Sequence, residues 1–144
     1  MSFFSSMDIS ASALTAQRQR LDVISENIAN IDTTRTGSGG PYRRKMVVLR
    51  PNEQDSFRRV LRSKLKEQKG GVHVAEIVED ERASKPVYDP EHPDADENGY
   101  VQMPNVELIK ETIDAMSASR SYDANVTVFN TMKLMAQKAL EVGK

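Results

Sequence analysis

Cysteine is absent from this chain of 144 residues, which excludes a disulfide framework and any thiolate metal site. No apolar run approaches the ~18 residues that a bilayer-spanning helix needs. The stretch from Met1 to Asp8 has neither a basic residue nor an unbroken apolar run, so no cleaved secretory signal is expected there. Apolar residues are also scarce, at 38% against 28% charged. That balance suits an elongated protein better than a sphere around a large core. Neither sign of charge prevails, and a net charge of −1 names no nucleic acid or membrane as partner. The two histidines, His73 and His92, have no recognisable nucleophile or metal partner in sequence. No motif selects a carboxylate for general acid–base work, and no carboxylate pair supports glycan hydrolysis. The chain therefore reads as a non-enzyme with no cofactor.

What the chain does have is an apolar stripe of helical period at each end. Met7, Leu14, Leu21 and Ile28 fall seven residues apart, and Phe3, Ser10, Gln17, Ile24 and Ile31 fill a second seam beside them. Near the other end Val106, Ile109, Ile113 and Met116 begin a stripe. Ala124, Val128, Met132, Met135, Ala139 and Val142 continue it after a shift in phase. Spacings of three and four place such residues on one helix face. Helices are expected from about Phe4 to Ile31 and from Asn105, a possible N-cap, to about Val142, with Gly143 just past the end. The last helix carries a second stripe, Tyr122, Val126, Phe129, Ala136 and Leu140, about a third of a turn away. The first helix can cover one stripe. The other then meets either the small middle domain or a neighbouring subunit. So little apolar content, spread along about 57 Å of helix, favours the subunit.

The middle divides into strands and loops. Residues 42–50 and 72–79 read as strands, 84–88 and 100–103 as shorter ones, and 89–99, with two prolines, as a loop. The glycine-rich stretch 36–41 is a connector. Phe57, Leu61 and Leu65 suggest a short amphipathic helix within 53–69. The domains expected are 1–32 and 105–144 for the terminal helices, and 33–104 for a linker and small β-rich insertion. Charge is polarised: Tyr42 to Gly70 holds ten Lys or Arg against three acidic residues, and Glu76 to Glu97 nine acidic against two basic. The two segments can pair within one small domain. A basic run from Arg58 to Lys69 with no interleaved aromatic beyond Phe57 is a weak nucleic-acid footprint, and none is expected to bind. Asp94-x-Asp96-x-Asn98-Gly99 matches half of a calcium loop, with Val101 at the apolar position. Asn105 stands where the bidentate Glu belongs, and Pro93 and Pro104 exclude the flanking helices, so a tight acidic turn is favoured.

SALTAQRQRLDVISENIANIDTT at 12–34 resembles the N-terminal signature of bacterial flagellar rod and hook proteins, through Ala13, Leu14, Leu21, Asp22, Asn27, Ile28, Ala29, Asn30 and Thr33. SASRSYDANVTVFNTMKLMAQKALEVG at 117–143 resembles their C-terminal signature, through Ser119, Arg120, Tyr122, Ala124 and Asn125. YDPEHPDADENGYVQMPNV at 88–106, PYRRKMVVL and AEIVED resemble the proximal members of the basal-body rod family. Glu107 stands where an Asp is frequent and Asp123 where Gln is more usual. The basic run from Arg58 to Lys69 matches no pattern of the family.

The resemblance implies a mainly α fold, in which long N- and C-terminal helices pack as an antiparallel coiled coil with a small β-containing insertion between them. It implies a structural subunit that polymerises through its terminal helices into the helical rod that transmits motor torque. Implied partners are copies of itself, other rod proteins, the membrane-embedded base ring and the export apparatus, without membrane insertion. The implied location is the periplasm-spanning rod, reached by type III export. The partner-binding residues expected on the seams are Leu14, Leu21, Ile24, Ile28, Ile31, Ile109, Ile113, Met116, Tyr122, Val126, Val128, Phe129, Met132 and Met135. Asn27, Asn30 and Asn125 either cap backbone locally or fix register between helices, as buried Asn does in coiled coils. A soluble coiled-coil adaptor with a single partner is the alternative reading.

Overall fold

The computed structural model describes residues 3–37, 39–52 and 70–142. The expected helix within 53–69, Gly143 and the side chains of Phe3 and Val142 lie outside that description. Among the described residues, two long helices enclose four short strands in sequence: α1 (Phe3–Ala29), β1 (Lys45–Pro51), β2 (Val72–Glu79), β3 (Lys85–Tyr88), β4 (Tyr100–Met103) and α2 (Leu108–Val142). Neither helix contains Gly or Pro, so nothing inside them breaks the backbone ladder. Asn30 ends α1: its backbone N and side-chain Nδ2 both donate to the Glu26 carbonyl, and its Oδ1 accepts from Thr33 Oγ1.

The start of α2 differs from the sequence expectation. Asn105 is not its N-cap. Asn105 Oδ1 accepts from the Arg44 backbone N at 2.8 Å, and Nδ2 donates to the carbonyls of Asp80 and Arg82. A side chain occupied in this way cannot satisfy the first helical N–H groups, and the helix begins at Leu108.

The chain forms two units. One comprises Met1–Gln19, Leu49–Ala75 and Ala118–Lys144; the other comprises Arg20–Val48 and Glu76–Ser117. In the first, Ser5, Ser10, Ala16 and Ala118 are buried, a core of small residues. The Val72 backbone N donates to Ser12 Oγ there, and Gly71 turns the chain at φ +121° directly against that oxygen. The second unit buries Val23, Ile24, Tyr42, Val101 and Val106 together with the polar Asn27, Asp80, Asn105 and Glu111.

Each sheet has two strands. The Asn52 N to Gly71 O bond at one end of the β1–β2 pair and the Asp80 N to Arg44 O bond at the other show antiparallel pairing. β3 and β4 pair antiparallel, with Val87 opposite Val101 and Tyr88 opposite Tyr100. Those tyrosine rings meet edge to face at 5.3 Å. Gly99, at φ +78°, closes the connecting loop where a Cβ would lie 3.0 Å from the Tyr88 ring.

Candidate functional site

A polar clamp sits inside the second unit. Asn27, 1% exposed, uses both ends of its amide. Its Nδ2 donates to the Lys45 carbonyl at 2.9 Å and to Glu111 Oε2 at 3.0 Å. Its Oδ1 accepts from the Lys45 backbone N at 2.8 Å and from the Tyr42 hydroxyl at 3.0 Å. Glu111 is fully buried, and its other oxygen accepts from Arg44 Nε. Arg44 Nη2 also reaches Asp114 Oδ2 at 3.1 Å, and Arg20 Nη2 lies 3.5 Å from Asp114 Oδ1. A buried carboxylate is tolerable only when paired and hydrogen-bonded, and both conditions hold here. Chain 42–45 is thereby fixed to α1 and α2 at once. Burial first, then the charges of Glu26, Glu111 and Glu79, push the Tyr42 hydroxyl up to about 12, so it keeps its proton as a donor.

Just outside the clamp, the Arg82 side chain and backbone donate to the Asp80 carboxylate and hold it down at about 2. Asp80 thus stays ionised beside the Asn105 staple. The Asp94–Asn98 turn is occupied by its own chain. Asp94 Oδ2 accepts from Thr34 Oγ1 at 2.8 Å, and Asp96 Oδ1 accepts from the backbone N of Asn98 and Tyr100. Among the described residues no three His, Asp or Glu side chains gather as a metal site. His73 Nδ1 lies 2.6 Å from Asn52 Oδ1, and His92 Nδ1 accepts from the Asp94 backbone N.

The seam residues distribute unevenly. On α1, Ile24 is buried and Leu14, Leu21 and Ile28 are half-buried, as is Ile31 just past its end. On the part of α2 in the second unit, Ile109 (76%), Ile113 (61%) and Met116 (53%) are exposed while Glu111 is buried. On the part in the first unit, Val128, Leu134, Met135 and Leu140 are exposed, whereas Tyr122, Val126, Phe129, Met132 and Ala136 are half-buried. The stripe that starts at Ile109 therefore faces outward in the isolated chain, and the Tyr122–Phe129 stripe is the more covered one. Asn30 bonds back to Glu26 O at the end of α1 and Asn125 to Ser121 O within α2, so both bond locally; of the three, Asn27 joins separate elements. Arg120 is exposed.

Sequence reasoning missed Tyr42, Arg44, Glu111 and Asp114. A signal for Glu111 was present. Counting four and three alternately from it gives Ala115, Ala118, Tyr122, Asn125, Phe129, Met132 and Ala136, a heptad run with one charge in an otherwise weakly polar seam.

Comparison with known proteins finds family matches toward both ends of the chain. Residues 7–35 match the family described as flagella basal body rod protein, and residues 97–142 match the C-terminal family of the flagellar basal body rod FlgEFG proteins. The flagellar basal-body rod protein FlgC of Bacillus subtilis is 50% identical over 100% of both chains. That of Borreliella burgdorferi is 45% identical over 99% of this chain and 98% of its own. That of Escherichia coli O6:H1 is 44% identical over 100% of both.

Proposed function

The chain belongs to the FlgC family of flagellar basal-body rod proteins, and from that premise we propose how it builds the rod. It is a structural subunit of the flagellar basal body, with a part in motility, and its role is mechanical rather than catalytic. The names of its relatives lend no support to an adaptor with a single partner. In our reading the N-terminal helix, residues 1–32, and the C-terminal helix, residues 105–144, pack as an antiparallel coiled coil, and residues 33–104 form the insertion. The Asn27–Glu111 and Arg20–Asp114 contacts support this, because positions rise along α2 as they fall along α1.

Assembly then uses the faces of the terminal helices. Leu14, Leu21, Ile24, Ile28, Ile31, Tyr122, Val126, Phe129 and Met132 close the subunit's own seam. Ile109, Ile113, Met116, Val128 and Met135 meet neighbouring copies and other rod proteins. The observation that carries this division is the outward exposure of Ile109, Ile113 and Met116 on a helix whose opposite side buries Glu111. Apolar side chains left outward in a stripe mark a protein contact. Contacts of this kind are heterologous and do not close, so they propagate a helical tube that carries torque across the periplasm. The subunit reaches that site through the flagellar type III export apparatus and meets the membrane-embedded base ring at the foot of the rod. Electron microscopy of basal bodies from a strain lacking this chain tests the reading. Rods missing or truncated are expected, and complete rods would overturn it.

A further inference from the structure

The β3–β4 hairpin closes on a dipeptide with chemistry of its own. Asn98 precedes Gly99 and is exposed. Asn is among the thermally labile residues. The backbone nitrogen of the next residue can attack its side-chain carbon, and glycine, with no Cβ, hinders that attack least. The turn itself requires the glycine. Gly99 sits at φ +78°, and a Cβ there would lie 3.0 Å from the Tyr88 ring and 3.2 Å from Pro90 Cβ. The fold thus builds in a reactive pair, and it also restrains it. Gly99 N donates to the Asp96 carbonyl at 2.9 Å, and the Gly99 carbonyl accepts from Asp89 N at 2.9 Å. Asp96 Oδ1 accepts from the backbone N of Asn98 at 2.8 Å and from that of Tyr100 at 2.9 Å. We propose that Asn98 is a deamidation site guarded by Asp96, so that the modification records time spent with this hairpin open.

For the reaction the Gly99 nitrogen gives up its proton and swings onto Asn98 Cγ. Both movements break its bond to Asp96 O, so they wait for local opening of the turn, as amide hydrogen exchange does. The new N–Cγ bond closes a succinimide ring. The Cγ–Nδ2 bond breaks, and the side-chain amide leaves as ammonia with the proton that Gly99 gave up. Water then adds to a ring carbonyl and reopens the ring. Addition at Cγ leaves aspartate. Addition at the backbone carbonyl leaves isoaspartate, whose main chain is longer by a carbon. Nothing is oxidised or reduced. Either product puts a further negative charge among Asp89, Glu91, Asp94, Asp96 and Glu97. Isoaspartate also displaces Gly99 and Tyr100, which separates the Tyr88 and Tyr100 rings now 5.3 Å apart. A chain marked while open closes this hairpin poorly, and one that folds promptly stays unmarked. The reaction needs only the turn and water, not the rod.

The test incubates the full chain in neutral buffer and in guanidinium chloride, and follows ammonia loss at Asn98 by peptide mass mapping. The native chain is expected to react at least about tenfold more slowly than the denatured one. Asp96→Ala, with its helical circular dichroism intact, is expected to lose most of that protection in native buffer. Asp96→Asn keeps an acceptor at the same place and is expected to react as slowly as wild type. Equal rates in the native and denatured chain would overturn the inference, whatever the variants do. So would a folded Asp96→Ala chain as slow as wild type, or a folded Asp96→Asn chain as fast as the denatured one.

Discussion

Glu111 has no exposed surface, and its charge is held by Arg44 and Asn27. Removing one partner of a buried pair leaves the other desolvated and alone. Glu111→Leu is expected to cost about 3 kcal/mol, at the low end of the usual range for such pairs because Arg44 keeps Asp114. A lower urea midpoint with an unchanged slope is the measurement. Tyr42 adds a dependence on alkaline pH. Its hydroxyl ionises near 10.0 when unfolded and near 12 in place, so the folded state binds its proton more tightly. That contribution is complete below pH 10 and is lost as pH rises toward 12. Tyr42→Phe should flatten the stability curve in that window and lower stability below it by about 1 kcal/mol through the lost bond to Asn27. The partners of Glu111 and Tyr42 were not legible in order along the chain. Arg44 and Glu111 are 67 positions apart, and a lone Glu at a helix start reads as a solvated favourable charge until its partners are known.

The elements themselves were far more legible. The strand from Val72 to Glu79 and the short one from Tyr100 to Met103 fall where β-branched and aromatic residues alternate between turn signals, and both helices fall where the apolar period is three and four. What the period could not give is direction. The second helix has apolar residues around much of its circumference, so sequence alone left open which stripe its own chain covers. Tertiary context decided it by placing Glu111 inward and Ile113 outward. The α2 boundary moved for a related reason, because Asn105 is engaged by the segments just before β1 and just after β2 rather than by the helix. The join between β2 and α1 carries its own test. Gly71 has φ +121°, and a Cβ there would come within 2.5 Å of Ser12 Oγ, which already accepts the Val72 N–H. Gly71→Ala is expected to destabilise the chain by about 1–3 kcal/mol through backbone strain. Thermal melting checks it, and Ser12→Ala in the same chain should recover only part of the loss because the strained φ remains.

At the scale of the whole molecule, the proposed assembly gives the two helical ends of the rod subunit different work on different faces. In that assembly the clamp and the Tyr122–Phe129 stripe would serve the subunit itself, and the Ile109–Ile113–Met116 face the polymer. A charge placed on an already exposed position costs the monomer little, within about 0.5 kcal/mol. The same charge buried at a subunit contact costs several kcal/mol, roughly, in the assembled state alone. Ile113→Asp compared with Phe129→Asp is therefore the most direct measurement, scored by urea midpoint of the purified chain and by its incorporation into basal bodies. Ile113→Asp is expected to keep the wild-type midpoint and lose incorporation, while Phe129→Asp lowers the midpoint first. An Ile113→Asp chain that incorporates normally, or one that unfolds as readily as Phe129→Asp, would contradict the division of the two faces.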